Sequence, residues 1–192
     1  MNPPLQPAVF LDRDGTIIDD IGYLDRVADV DIYPWSADAL RLLKRGGFAI
    51  VVITNQSGVA RGLYPESAVH AVHAHLIEAL ARGGAVVDGW YHCPHHPDAV
   101  DAAYRLDCDC RKPKPGMLTT AAAALGLDLA RSVVVGDRWS DVAAAHAVGA
   151  AGVLVRTGAG AREEETPEDG LVADAVVPSL AEAASWILKE RR

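Results

Sequence analysis

Four short apolar runs, at residues 8–11, 48–53, 133–135 and 152–155, are each closed by polar or glycine-containing residues. Stretches with helical spacing lie between them. Residues 36–45 form one and stop at Gly46-Gly47, a natural helix end. Residues 65–82 form another, with Val69, Val72, Leu76 and Leu80 on one face. Residues 174–177 read as a last short strand and 180–189 as a closing helix. Fully apolar strands separated by amphipathic helices imply a parallel sheet buried on both faces, with right-handed crossovers. The expected fold is α/β, a Rossmann-like parallel sheet flanked by helices, in one domain over residues 1–192.

Half of the residues are hydrophobic, yet no run reaches the ~20 needed to span a bilayer. The first residues lack the basic patch and apolar core of a secretory signal, so a cytoplasmic location is expected. A formal net charge of −8 with no basic stripe argues against a nucleic-acid surface. The expected partner is a small molecule, and a monomer is the default.

The strand ends carry the chemistry. The first run ends in Asp12 and Asp14, two carboxylates one residue apart that an extended backbone points to one side. The second ends in Thr54-Asn55-Gln56-Ser57-Gly58, and the third in Gly136-Asp137-Arg138 with Asp141 a helical turn on. Open α/β sheets bind ligands at this edge. Taken singly, each has a plainer reading. The aspartates could form an Asx turn, Thr54, Ser57 or Asp137 could cap a helix, and Lys112 could be a solvated surface lysine. Together they supply what phosphoryl transfer needs: a nucleophile, hard oxygen ligands for a divalent metal, and donors for the phosphate oxygens.

The ordered set resembles the haloacid dehalogenase superfamily of aspartate-nucleophile phosphatases. Asp-x-Asp-Gly-Thr at Asp12 matches the first motif, Thr54 the second, Lys112 the third, and Gly-Asp-x-x-x-Asp at Asp137 the fourth. The resemblance implies that Asp12 is the nucleophile and Asp14 the general acid/base. It further implies that Thr54 and Lys112 hold the phosphoryl oxygens. Mg²⁺ would bind the Asp12 carboxylate, the Asp14 backbone carbonyl and Asp137.

All three cysteines fall in a second constellation, Cys93-Pro-His95 and Cys108-Asp-Cys110. Three thiolates and an imidazole make a closed, structural Zn²⁺ set. A disulfide is disfavoured by the odd cysteine count and the expected compartment. His92 and His96 flank the set as spares, because Cys93-x-His95 mirrors Cys108-x-Cys110. The loop, residues 92–112, runs straight into Arg111 and Lys112, so zinc is expected to act as scaffolding for the lysine.

A zinc loop with a minimal cap is similar to the sugar-bisphosphate branch of the superfamily, on Cys-Pro-His-His-Pro from Cys93, Cys-Arg-Lys-Pro-Lys-Pro-Gly-Met from Cys110, and Thr54 to Gly62. This branch implies a phosphosugar substrate, the 7-phosphate of a heptose 1,7-bisphosphate used for lipopolysaccharide core or surface glycans, with histidinol phosphate as the alternative. Asp20, Gly22, Tyr23, Asn55, Gln56 and Ser57 would then meet the sugar, and Arg111 and Arg138 the distal phosphate. Packing is the plainer reading of Tyr23. A binding module without turnover is the reading from another class. His70 and His73, at i, i+3 spacing, could share a metal, but the plainer reading places His70, His73 and His75 on a wet helix face, and the four tryptophans in packing.

Overall fold

The computed structural model describes residues 5–167 and 170–191. Six strands form one sheet: β1 (Gln6–Leu11), β2 (Ala49–Asn55), β3 (Gly89–Cys93), β4 (Leu127–Gly136), β5 (Ala151–Val155) and β6 (Ala175–Val177). Their spatial order is β3-β2-β1-β4-β5-β6, and every neighbouring pair is parallel.

Strand alternation divides the core into two layers. On β1, Val9 and Leu11 face one apolar cluster while Ala8 and Phe10 face the other. The same split places Ile50 and Val52 against Val51 and Ile53 on β2. The first layer is closed by α1 (Ser36–Arg45), α3 (Glu66–Arg82) and α7 (Leu180–Glu190), through Leu40, Leu43, Val72, Leu76, Leu80 and Ile187. The second is closed by α4 (Gly116–Leu125) and α5 (Trp139–His146), through Met117, Leu118, Ala144 and Ala145. Two short helices complete the set, α2 (Ser57–Ala60) and α6 (Gly160–Glu165).

Residues 36–45 are helical over the expected span. Helix α3 begins one residue later than expected, because Pro65 takes the extended cap position. The strand expected at 133–135 is the buried end of a longer one. Its register to β1 shifts between Pro7 and Val9, and the Ser132 hydroxyl bridges there, accepting from Ala8 N at 2.9 Å and donating to Asp128 O at 2.5 Å. Strand β3 and helix α4, like the short α2 and α6, carried no strand or helix expectation. Strand β3 lies at the sheet edge and is only half-buried, so it lacks a continuous apolar run. Among the described residues no helix is long and apolar enough to cross a membrane.

Strand order reverses direction between β1 and β4, so a crevice opens beyond their carboxyl ends. Asp12 and Asp137 are the residues immediately after those two strands.

Candidate active site

Beyond β1 the chain turns sharply, and Gly15 adopts φ +77°. A Cβ there would lie 2.3 Å from Asp137 Oδ2, and one on Gly158 would lie 2.4 Å from the same oxygen. Two glycines therefore let the backbone close around Asp137. Its Oδ2 accepts from Ala159 N at 2.8 Å, whereas Oδ1 is buried with no protein partner.

Lys112 sits at the centre, 4% exposed. Its Nζ is 3.0 Å from Asp12 Oδ1 and 2.6 Å from Asp141 Oδ1, and it donates to Ile53 O at 3.0 Å. Burial alone would lower the lysine pKa, but the two carboxylates outweigh it and raise it. Asn55 fixes the lysine's backbone reciprocally: Nδ2 donates to Lys112 O at 3.0 Å and Oδ1 accepts from Lys112 N at 3.1 Å.

The carboxylates resist ionisation. Burial, with Asp141 and Asp14 nearby, pushes Asp12 up to about 7 despite the Lys112 charge. Burial and the charges of Asp12 and Asp141 push Asp137 up to about 8. Oxygens of Asp12, Asp137 and Asp141 lie within 4.8 Å of one another. A dense cluster of buried carboxylates with an unpartnered oxygen is the donor set a hard divalent cation stabilises.

Asp14 points elsewhere. Its carboxylate accepts from Gln56 Nε2 at 2.9 Å and lies 3.4 Å from the Thr54 hydroxyl. Gln56 is held in turn by Tyr64, whose hydroxyl donates to Oε1 at 3.0 Å. Arg13, 1% exposed, forks onto Asp14 from beneath. The sequence reading passed over Arg13 and Tyr64, and it placed Asp141 in a motif without a role. Asp141 has two: it pairs with Lys112 and accepts from Arg138 N at 3.2 Å to cap α5.

A cleft of about 460 Å³ opens over these groups. It is lined by Asp12, Asp14, Thr54 and Lys112, by Asp20, Gly22, Tyr23, Asn55, Gln56, Ser57, Arg111 and Arg138, and by Gly58, Tyr64 and Ser140. Tyr23 is 49% exposed, so packing is not its role. Arg138 Nη2 is 3.2 Å from Asp20 Oδ2, and Arg111 Nη1 donates to His95 O at 3.3 Å.

Cys93, His95, Cys108 and Cys110 converge beside the cleft. None of the cysteines is in a disulfide. The separations are 3.5 Å for Cys93 Sγ–Cys108 Sγ, 3.2 Å for Cys110 Sγ–Cys108 Sγ, and 3.8 and 3.3 Å from His95 Nδ1 to Cys93 and Cys110 Sγ. Tetrahedral bonds of about 2.0–2.3 Å give edges of about 3.3–3.8 Å, so the four atoms stand close to a metal's coordination shell. Cys93 O accepts from Gln56 N at 2.8 Å, which joins this cluster to the cleft wall.

The histidines of α3 correct the expectation of a wet face. His70 is exposed and His75 half-buried, but His73 is 7% exposed and packs on Trp90, with ring centroids 4.9 Å apart. The face it occupies turns toward β3, an edge strand the sequence did not reveal.

The chain is similar to known proteins in sequence and fold. D-glycero-beta-D-manno-heptose-1,7-bisphosphate 7-phosphatase of Escherichia coli strain K12 is 44% identical over 187 residues, 97% of this chain and 96% of its own length. The chain belongs to the haloacid dehalogenase-like phosphatases. A HAD-hydrolase-like family model matches residues 109–183. The D,D-heptose 1,7-bisphosphate phosphatase structure from B. bronchiseptica, complexed with magnesium and phosphate, superposes with a TM-score of 0.84 at 36% identity, over 96% of this chain and 99% of that one. A putative HAD-like phosphatase from Mesorhizobium loti gives 0.83 at 37%, over 99% and 90%. As a member of this family the chain is a phosphoric monoester hydrolase.

Proposed function

We propose that this phosphatase removes the 7-phosphate of D-glycero-D-manno-heptose 1,7-bisphosphate, leaving the heptose 1-phosphate for activated-heptose synthesis. The observation that carries the reading is the cleft, whose lining brings Asp12, Lys112 and Thr54 together with Arg111 and Arg138. Such a lining suits a sugar with a phosphate at each end, since guanidinium groups match phosphate oxygens with several donors. Heptose bisphosphate phosphatases among the relatives support the same substrate.

Asp12, Asp137 and the Asp14 backbone would hold Mg²⁺, with Asp141 beside them. The bound cation supplies charge neutralisation for the carboxylates and the incoming phosphate. Asp12 attacks phosphorus as the 7-oxygen departs, forming an aspartyl-phosphate that water then hydrolyses. Asp14 gives the departing oxygen its proton and takes one from the attacking water. Lys112 and Thr54 bind phosphoryl oxygens as charge moves onto them. Asp141 aims Lys112, and the Asn55 clasp holds its backbone. Asp20, Gly22, Tyr23 and Ser57 meet the sugar hydroxyls, whereas Asn55 and Gln56, expected there too, have their amides committed to Lys112 and to Asp14, Thr54 and Tyr64. Cys93, His95, Cys108 and Cys110 would hold Zn²⁺, which would anchor the loop that delivers Lys112. All of this falls within one catalytic domain.

Steady-state rates with Mg²⁺ on heptose 1,7-bisphosphate and on histidinol phosphate test the substrate. A higher kcat/KM on the heptose is expected, and a clear preference for histidinol phosphate would refute the reading. Asp12→Asn, expected to abolish phosphate release, separates turnover from mere binding.

A further inference from the structure

A third cluster of metal-ligating side chains shares no residue with the cleft carboxylates or the cysteine set. Glu66 and His70 are one helical turn apart on α3 and so share a face. His92 reaches them from the neighbouring strand β3, and donor atoms of Glu66, His70 and His92 lie within 4.8 Å of one another. We propose that Glu66, His70 and His92 form a binding site for a transition-metal dication of the Zn²⁺, Co²⁺ or Ni²⁺ class.

The donor set selects such ions, since two imidazoles favour borderline metals over Mg²⁺ or Ca²⁺. Three protein ligands leave a coordination position for water. His92 Nε2 and Glu66 Oε1 are now 2.7 Å apart. Bonds of about 2.1 Å to one tetrahedral ion need an edge of about 3.4 Å, so the pair must open by less than an ångström. The supports around it are built. Tyr104 OH donates to the other Glu66 oxygen at 3.1 Å, orienting the carboxylate. The His73 ring packs edge-on against His92, with centroids 5.7 Å apart, and limits how that imidazole can turn. His70 is exposed, so an ion has an open approach.

The position gives the site a reason to matter. His92 pairs in register with Thr54 in the cleft and precedes Cys93 of the cysteine cluster. Glu66 opens α3 at the end of the segment that carries Ser57, Gly58 and Tyr64. An ion bound here would tie α3 to β3 directly beneath two groups lining the cleft.

The test uses the full chain with its cysteine-cluster metal in place and Mg²⁺ in excess. Co²⁺ is added, unbound ion is removed by gel filtration, and cobalt is counted in wild type and in His70→Ala. Wild type is expected to retain one more cobalt per chain. Its difference spectrum should show weak visible bands without the sulfur-to-cobalt charge-transfer absorption of a thiolate site. Glu66→Gln and His92→Phe should each weaken this retention at least about tenfold. Folding of every variant is checked by circular dichroism and by an unchanged cysteine-cluster metal content. Because His70 is exposed, its alanine variant retains the fold. Equal cobalt retention in wild type and His70→Ala would overturn the assignment, as would an extra ion that carries the thiolate absorption.

Discussion

Arg13 grips the carboxylate of Asp14, its neighbour in the chain, with Nε 3.2 and 3.1 Å from the two oxygens and Nη2 3.0 Å from Oδ1. The guanidinium is buried, so this is a fixed clamp rather than a surface pair. It acts from one side while Gln56 acts from another, leaving Asp14 little freedom to turn. Arg13→Lys keeps the charge but loses the planar fork. The expected result is a kcat fall of about 10- to 100-fold from misorientation of Asp14, with KM changed far less. Steady-state kinetics on the heptose bisphosphate read both values, and an unchanged kcat would deny Arg13 this positioning role.

The cysteine cluster makes a separate prediction about Lys112, which lies two residues after Cys110. Loss of a ligand should release the loop and with it the lysine, although no thiolate touches the reacting atoms. Cys108→Ser is expected to lower metal content, destabilise the chain and reduce kcat by about 100-fold, the effect of roughly an ångström of misplacement. Metal analysis beside thermal unfolding checks it. A variant with full activity and no cluster metal would remove the scaffolding role.

The sheet and the groups at its edge were legible because they depend on local pattern. Buried parallel strands must be apolar on both faces, so runs such as Phe48 to Ile53 stand out, and the polar residue that ends each run is where the crevice lies. Strand β3 escaped because an edge strand needs no such run, and with it went the burial of His73. Asp141 and Arg13 were hidden differently. The role of each depends on its surroundings in space: Lys112, 29 residues earlier in the chain, for Asp141, and for Arg13 the burial that fixes its guanidinium on Asp14. No residue spacing encodes that. The other cleft-lining residues lay on loops whose meeting in one cleft follows only from the assembled strand order.

Metal and pH should act together on stability. Asp12 and Asp137 stand at about 7 and about 8 rather than the ordinary 3.8. Between roughly pH 4 and 8 the folded chain therefore keeps protons that the unfolded chain has released, and stability falls as pH rises. A dication held by the same oxygens displaces those protons, so its binding strengthens in the direction in which the bare site weakens. The rise in Tm on adding saturating Mg²⁺ is expected to be larger at pH 8 than at pH 5. Asp12→Asn, with one buried charge fewer, should shrink that difference. Calorimetry at the two pH values decides, and an equal Mg²⁺ effect at both would count against these carboxylates as the metal site.

His73 has the opposite dependence, and its sign can be separated from that of the carboxylates. Burial pushes it from 6.5 down to about 3, with the charge of Arg13 and the neighbouring His92 and His70 adding to the effect. Its Nε2 has no protein partner, so nothing in the packing rewards a proton there. Below about pH 6.5 the unfolded chain takes up a proton that the folded chain refuses, so the unfolded state binds more protons and stability is lost as pH falls toward 3. Replacing the ring by an apolar one of similar size removes this term and leaves the carboxylates as they were. His73→Phe should therefore lose less Tm than wild type between pH 7 and pH 5, while its packing on Trp90 is retained. The comparison is made in Mg²⁺-free buffer, so that the acidic cluster contributes equally to both proteins and cancels in the difference. If the two proteins lose the same Tm over that interval, His73 is not the buried neutral histidine that its surroundings require.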